Sequence, residues 1–449
     1  MEKYSSYKDS GVKWLGEIPS HWETRTLKYC CSLKGRIGWN GLRSEEFQYS
    51  SYAYLVTGQD FIGSEIDWSK CYQISQERYD EDPYIQLNNG DMLITKDGTI
   101  GKVAKVTNLD KPACLNSGIF VIKQKGTYFN QGFLYWMLCS NVLKEFNIYT
   151  QTGATIAHLY QNVFENMPCI LPPLSEQNAI ASYLDSVTTQ IDVAISQQQK
   201  MIELLNERKQ IIINNAVTKG LDPNVKMKDS GVDWIGEIPE HWDFCKFNHI
   251  ISVLTDYTAN GSFGDLAKNV HYQSEGYARL VRLTDLRDNL QNENGVWVDK
   301  HGYEYLSKSS LYGGELLIAN VGAYSGLVQI MPKVDYLTTL APNMFLLKLD
   351  NTKVLTDYIY YLLLSKAYFN WLQTIAIASA QPKLNKDNIR TLPILIPTID
   401  EQKAIVDRIA NAIKPLENLI SITQKQISLL QERKQIIINE VVTGKVKVV

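Results

Sequence analysis

The sequence predicts an α+β protein: two tandem mixed α/β domains joined by two long antiparallel helices that pair as an intramolecular coiled coil. The whole chain reads as an internal repeat with pseudo-twofold character. Three observations carry the prediction. "KDSGVKWLGEIPSHW" (8–22) returns as "KDSGVDWIGEIPEHW" (228–242). "LSEQNAIASYLD" (174–185) returns as "IDEQKAIVDRIA" (399–410), and "LLNERKQIIINNAVT" (204–218) as "LLQERKQIIINEVVT" (429–443), each 225 positions on. Between the last two motifs, apolar residues alternate steps of four and three, the seam of a helix that pairs with another helix.

The totals set the bounds. A chain of 449 residues, 45% hydrophobic and 21% charged, has room for about two to four domains with real cores. No apolar run reaches the ~18 residues of a membrane span, and "MEKYSSYKDS" has no signal-peptide core. Seven cysteines without a CxxC pair fit neither a disulfide framework nor a zinc site, and reduced thiols place the chain in a cytoplasmic setting. Six histidines form no HExxH; His21 and His241 fall inside the repeated opening motif, where they pack. A net charge of −3 argues against indiscriminate nucleic-acid binding and leaves specific binding open.

In order along the chain, the expected parts are a domain at 1–174, a helix at 175–219, a second domain at 220–398 and a second helix at 399–449. Trp14, Ile18, Pro19 and Trp22, with Trp234, Ile238, Pro239 and Trp242, are anchors that fix how the chain enters each domain. Inside the domains a common skeleton survives: "GDMLITKDGTIGKVAKV" (90–106) matches "GELLIANVGAYSGLVQIM" (314–331), each a strand, a glycine-bearing turn and a strand. "LVTGQDF" (55–61) likewise sits opposite "LVRLTDL" (280–286).

For the helices, Ser175 and Asp400 are the expected N-caps, and Gly220 and Gly444 the ends. The first seam runs Ile180, Leu184, Val187, Ile191, Ala194, Gln198, Met201, Leu205, Arg208, Ile212. The second runs Ile405, Ile409, Ala412, Leu416, Leu419, Thr423, Gln426, Leu430, Arg433, Ile437. Forty-odd helical residues at about 1.5 Å each reach roughly 60 Å. Antiparallel pairing would set the two domains at opposite ends of the pair. Pro415 predicts a kink or break near 411–415.

With "GEIPSHW" and "GEIPEHW" opening each half, "LPPLSEQ" and "IPTIDEQ" before each long helix, and "ERKQIIIN" near each helix end, the chain resembles specificity subunits of type I restriction-modification systems over its full length. The resemblance implies that each domain is a target recognition domain reading one half of a bipartite, asymmetric double-stranded DNA site. It implies that the helices set the gap and dock two methyltransferase subunits, with Leu184, Ile191, Leu205, Arg208, Leu416, Leu430 and Arg433 in the seam or at the partner face. Motor-nuclease subunits would complete the complex, and S-adenosylmethionine, ATP and Mg would serve those partners, with no cofactor, metal or catalytic residue in this chain. The residues agree by omission: there is no NPPY or DPPY, no GxGxG after a strand and no Walker A. The "ERK" at 207–209 and 432–434 lies on a long helix without the acidic partner pattern of a nuclease.

Candidates for DNA contact are loop residues with fork-like, ammonium or amide chemistry, since Arg and Lys suit guanine while Asn and Gln suit adenine. In the first domain these are Lys34, Arg36, Asn40 and Arg43 in "KGRIGWNGLR", Lys96, Thr99 and Lys102 in "TKDGTIGK", and Thr152, Gly153, Thr155 and His158 in "QTGATIAH". In the second they are Arg279, Arg282, Asn320, Tyr324, Ser379, Gln381 and Lys383. Residues 24–150 carry 14 basic and 13 acidic side chains, and residues 244–373 carry 11 and 12, so each reader is close to neutral. The chain alone is therefore expected to grip DNA weakly, with partners supplying positive field. Two other readings fit parts of the pattern: a coiled-coil scaffold whose globular ends bind proteins, and an enzyme fusing recognition with cleavage, for which the length leaves no room.

Overall fold

The computed structural model describes residues 2–36, 42–150, 158–287, 290–322, 324–377 and 383–448. The chain forms two compact units, Met1–Gln199 with Lys425–Val449, and Lys200–Gln424, so each long helix contributes to both.

In the first unit a four-stranded antiparallel sheet runs Val103–Lys105, Met92–Thr95, Ile119–Gln124, Cys31–Gly35. Its strand MLIT is buried at every position, which is why it reads as a continuous apolar run. Successive side chains serve opposite faces. Met92 and Ile94 pack with the helices Gln131–Cys139 and Asn141–Thr150, while Leu93 packs with the sheet Ala113–Leu115, Ala53–Val56, Tyr72–Ile74. A pair of strands, Glu23–Thr26 and Pro168–Leu171, leads into the first long helix, Leu174–Lys219.

The second unit repeats this plan. Its antiparallel sheet runs Ile251–Asp256, Met344–Leu349, Leu316–Ala319, Val328–Ile330. Leu316 and Ile318 face the helices Thr356–Leu364 and Lys366–Ile377, and Leu317 faces the five-stranded sheet that contains Ala278–Val281. The strands Asp243–Lys246 and Pro393–Ile396 lead into the second long helix, Ile399–Val442. The strand–turn–strand skeletons expected at 90–106 and 314–331 are both present. So is the equivalence of 55–61 with 280–286: Ala53–Val56 pairs parallel with Ala113–Leu115, and Ala278–Val281 with Thr338–Leu340.

Each opening motif locks onto a long helix. Trp22 is fully buried, and its Nε1–H donates to Glu176 Oε2 at 3.0 Å; His21 Nε2 lies 2.6 Å from Oε1, and the Tyr4 hydroxyl donates to Oε2 at 3.0 Å. In the second unit Trp242, also fully buried, donates to Glu401 Oε1 at 2.9 Å, with His241 at 3.1 Å from Oε2. The glutamine beside each glutamate holds backbone. Gln177 accepts from Asn130 N and donates to the Tyr128 and Pro172 carbonyls; Gln402 accepts from Leu355 N and donates to the Lys353 and Pro397 carbonyls.

The helix details differ from expectation in three places. The caps differ: the helices start at Leu174 and Ile399, so Ser175 and Asp400 lie inside the first turn instead of capping it. Thr398 caps the second helix, its Oγ1 accepting from Glu401 N at 3.3 Å. The seam is one residue out of register at every second position: Thr188 and Ile195 are buried and Ile202 and Lys209 half-buried, whereas Met201 and Arg208 are exposed. The second helix shows the same shift, with Ile413 buried, Ile420, Ile427 and Lys434 half-buried, and Leu419 and Arg433 exposed, while Thr423 is buried as expected. Leu184, Ile191 and Leu205 are buried as expected, and Leu416 and Leu430 are half-buried. The second helix also runs unbroken through Pro415, so the break allowed for there does not occur.

Both helix ends use left-handed glycine, Gly220 at φ +75° and Gly444 at φ +73°. A Cβ on Gly444 would collide with Pro19, whereas one on Gly220 would meet Trp242 at an ordinary 3.4 Å. Gly220→Ala should therefore cost about 1 kcal/mol, the left-handed penalty alone, and Gly444→Ala distinctly more in urea unfolding. Burial raises the Glu176 pKa, but the hydrogen bonds with His21, Trp22 and Tyr4 outweigh it and hold the carboxyl below its ordinary 4.5. A carboxyl depressed on folding adds stability that is present above its unfolded value and lost as pH falls through the folded one. Trp22→Phe should cost roughly 1.5–3 kcal/mol at pH 7. That deficit should shrink only below pH 4.5, which chemical denaturation at stepped pH will read.

Candidate nucleic-acid interface

The turn between Met92–Thr95 and Val103–Lys105 closes on a buried threonine. Thr95 Oγ1 donates to the Thr99 carbonyl at 2.5 Å and accepts from Lys102 N at 3.0 Å; Gly101 N donates to the Thr95 carbonyl at 3.0 Å. Gly98 and Gly101, at φ +68° and +84°, allow the chain to wrap that tightly. Thr99 and Lys102 are left exposed on the tip. Thr95 was not among the expected residues; its signal is a threonine ending an apolar strand and facing two glycines.

At the base of this turn a second segment crosses. Leu159 N donates to the Lys96 carbonyl at 3.0 Å, and Lys96 N to the Gly118 carbonyl at 2.9 Å. In the second unit Leu384 N donates to the Asn320 carbonyl at 2.8 Å, and Asn320 N to the Asn343 carbonyl at 3.0 Å. Lys96 and Asn320 are thus the same place in two frames, with His158 and Lys383 one residue before each crossing. The structure brings these four together in pairs. Their surroundings differ. Lys96 Nζ lies 4.8 Å from the Phe120 ring centre, and the His158 ring bonds Asp97 and meets Tyr160 edge-on at 4.5 Å. In the second unit Asn320 lines a cleft of about 650 Å³ with Asp256, Phe263, Asn343, Lys383 and Lys386. Lys386 bridges to Asp256 at 3.1 Å, and Phe263 is 73% exposed. Phe263 escaped the sequence reading because one aromatic between glycines gives no periodic signal.

The remaining candidates separate by burial. Lys34, Arg43, Lys383 and Tyr324 are exposed; Lys34 Nζ stands 5.4 Å from the Tyr84 ring centre. Arg36 and Arg279, expected on open loops, are instead interior, at 2% and 4% exposure. Arg36 donates to the Leu115 carbonyl at 3.0 Å and to Cys114 Sγ at 3.4 Å. Arg279 donates to the Leu290 carbonyl at 2.6 Å, the Tyr336 hydroxyl at 3.3 Å and Asn292 Oδ1 at 2.6 Å. Arg282 is committed as well: Nε and Nη2 hold Asp285 at 3.0 and 2.8 Å. Burial raises the Asp285 pKa, but the Arg282 and Asn292 hydrogen bonds outweigh it and keep the carboxyl below its usual range. Arg279 and Arg282 brace the loop after Ala278–Val281, and Arg36 is tied to Leu115 and Cys114; the nitrogens left unpaired, Arg36 Nη1 and Arg279 Nε, are buried. Asn40, Thr152, Gly153, Thr155, Ser379 and Gln381 lie outside the described residues. Among the described residues no three His, Cys, Asp or Glu side chains group as metal ligands, and no helix is long and apolar enough to cross a membrane.

Two substitutions separate brace from surface. Arg279→Ala strips buried carbonyls and Asn292 of their donor and should cost about 3–5 kcal/mol in thermal unfolding. Lys383→Ala, on an exposed side chain, should stay within about 0.5 kcal/mol of the parent.

Comparison with known proteins bears on what such a surface does. A family model described as the type I restriction modification DNA specificity domain matches residues 19–204 and 269–432. The MjaVIII type I restriction enzyme specificity subunit of Methanocaldococcus jannaschii is 27% identical over 457 residues, spanning 98% of this chain and 97% of that one. The EcoKI specificity subunit of Escherichia coli is 20% identical over 401 residues, spanning 88% and 82%. A chain solved in a study of assembly and conformational transition of the type I R-M system superposes with a TM-score of 0.68 at 13% identity, covering 96% of this chain and 99% of that one, a likeness of fold. With its matches falling in both repeats and covering most of the sequence, this chain belongs to the type I restriction-modification DNA specificity family.

Proposed function

We propose that this specificity subunit reads a bipartite, asymmetric DNA site, one half with each repeat. The recognition domains are 1–174 and 220–398, and the helices at 175–219 and 399–449 are the spacers that set the gap and dock two methyltransferase subunits. Methyl transfer from S-adenosylmethionine to adenine N6, and cleavage driven by ATP with Mg, belong to the methyltransferase and motor-nuclease partners. The observation that carries the reading is one frame written twice with two faces. Trp22–Glu176 and Trp242–Glu401 fix equivalent junctions. The turns above them, "TKDGTIGK" and "NVGAYSG", offer different chemistry at equivalent places.

Contacts within each unit support the spacer role. In the first unit Glu176 lies by the Trp22 that packs under Gly444, and further along Asp192 bridges Lys434 at 2.6 Å. Rising numbers on one helix meet falling numbers on the other. In the second unit Lys209 bridges Glu417, and Gly220 lies near Glu401, the same sense again. Lys209 and Lys434 are repeat equivalents, as are Asp192 and Glu417, so each unit holds one copy of a single ion-paired contact. An antiparallel, self-paired coiled coil accounts for both copies.

Long-read methylome mapping of the host, with and without this chain, tests the proposal. The expected result is loss of one N6-methyladenine motif made of two defined parts around an undefined gap. An unchanged methylation pattern would refute it.

A further inference from the structure

We propose that Asn320 is the residue through which the second repeat reads an adenine, its carboxamide pairing with the base's N6 amino group and N7; this rests on the DNA-reading function proposed above. Asn320 is 8% exposed, and its Oδ1 is buried without a hydrogen-bond partner, an exception among buried polar atoms. Its backbone is fully used, N–H to Asn343 and carbonyl to Leu384, so the frame holds the residue firmly while leaving the side-chain end unpaired. An acceptor with no internal donor is completed by a group from outside, water in the open cleft or the N–H of a ligand that displaces it.

Of the backbone and major-groove groups of a duplex, phosphates, guanine O6 and N7 and thymine O4 are acceptors and cannot satisfy Oδ1. The exocyclic amino groups of adenine and cytosine can. Adenine alone adds an adjacent acceptor, N7, for the amide N–H. The surroundings suit a duplex edge. The cleft of about 650 Å³ also bears Lys383, an exposed cation able to meet a backbone phosphate, while Lys386 is paired with Asp256.

The first repeat supplies the contrast. Lys96 occupies the position of Asn320 and offers only donors, and its ammonium rests on the Phe120 ring. Equivalent places in the two repeats therefore ask for opposite hydrogen-bonding partners, an acceptor edge in one half-site and an amino group in the other. An asymmetric site follows from that single difference.

The test uses the chain in its assembled complex in cells, with the methylated motif read by long-read sequencing. Asn320→Leu removes the carboxamide, and Asn320→Asp keeps its shape but accepts only. The parent motif should hold a fixed adenine that Asn320→Leu relaxes by roughly tenfold to a hundredfold, with the other half-site untouched. Asn320→Asp should move the preference at that position toward cytosine, whose amino group an acidic acceptor suits. If the leucine variant fails to fold, the isosteric aspartate decides. The assignment is overturned if folded variants leave the motif unaltered, or if the position that relaxes is not an adenine. A parent complex that writes no two-part motif would overturn the DNA-reading function and this assignment together; a normal motif blind to Asn320 would overturn the assignment alone.

Discussion

An indole N–H held on a carboxylate in the first turn of a helix is the contact from which the rest of this protein is organised. Glu176 and Glu401 each sit where a helix presents unpaired N–H groups and a favourable dipole for negative charge. Each spends its carboxylate on a tryptophan from an opening motif more than 150 residues earlier in the chain. A fully buried indole is a large apolar body with one polar atom, and a buried unpaired N–H would be costly. The glutamate removes that cost and at the same time fixes the angle at which the hairpin meets the helix. Behind each tryptophan lies the glycine end of the other long helix, Gly444 behind Trp22 and Gly220 behind Trp242. One contact therefore ties a helix start, a helix end and a domain entrance together.

With the junctions fixed, the sheets can separate frame from face. Met92 and Ile94 look toward the helices while Leu93 looks toward the second sheet, and Leu316, Ile318 and Leu317 do the same. Both faces of the central strand are consumed by packing, so variation has only the turns at its ends. These turns are rigid rather than loose. Thr95 stitches one through three hydrogen bonds, and in the other Ser325 donates to the Gly322 carbonyl at 2.8 Å while Gly326 N donates to Ala319 at 2.8 Å. A reader needs that stiffness, because hydrogen bonds to base edges discriminate only when donors and acceptors are already in place.

What the sequence disclosed follows from how locally each feature is encoded. The repeat, the two long helices, the glycine ends and the strand–turn–strand skeleton are written in neighbouring residues, and all appear. The seam register was off by one at alternate positions because Met201 stands beside Ile202 and Leu419 beside Ile420, so hydrophobicity alone ranks both choices equally. The long-range Lys209–Glu417 and Lys434–Asp192 pairs select between them, and no local pattern contains those. Thr398 was passed over as a cap because Asp400 has the same chemistry two residues later. Among the site candidates, the surface placement of Thr99, Lys102 and Lys383 was legible because turns are exposed by construction. Arg279 was not: it sits in "ARLV", a strand buried at every position, and only the loop at 290–292 that folds back on it shows why an arginine belongs there.

The fate of the arginines constrains how a nearly neutral protein can discriminate between sequences. Arg36 and Arg279 are interior, Arg282 is bound to Asp285, and Lys96, Lys105 and Lys111 each rest on an aromatic ring. Several cations are thus spent on internal architecture while others, Lys34, Arg43 and Lys102 among them, stay exposed, and because acidic side chains nearly match the basic ones little net charge remains to neutralise phosphates across a broad surface. A protein organised this way gains little from nonspecific attraction. Under the proposed DNA-reading function, discrimination in such a protein rests on a few rigid groups whose hydrogen-bonding needs a base edge can meet, with partner chains adding to the attraction.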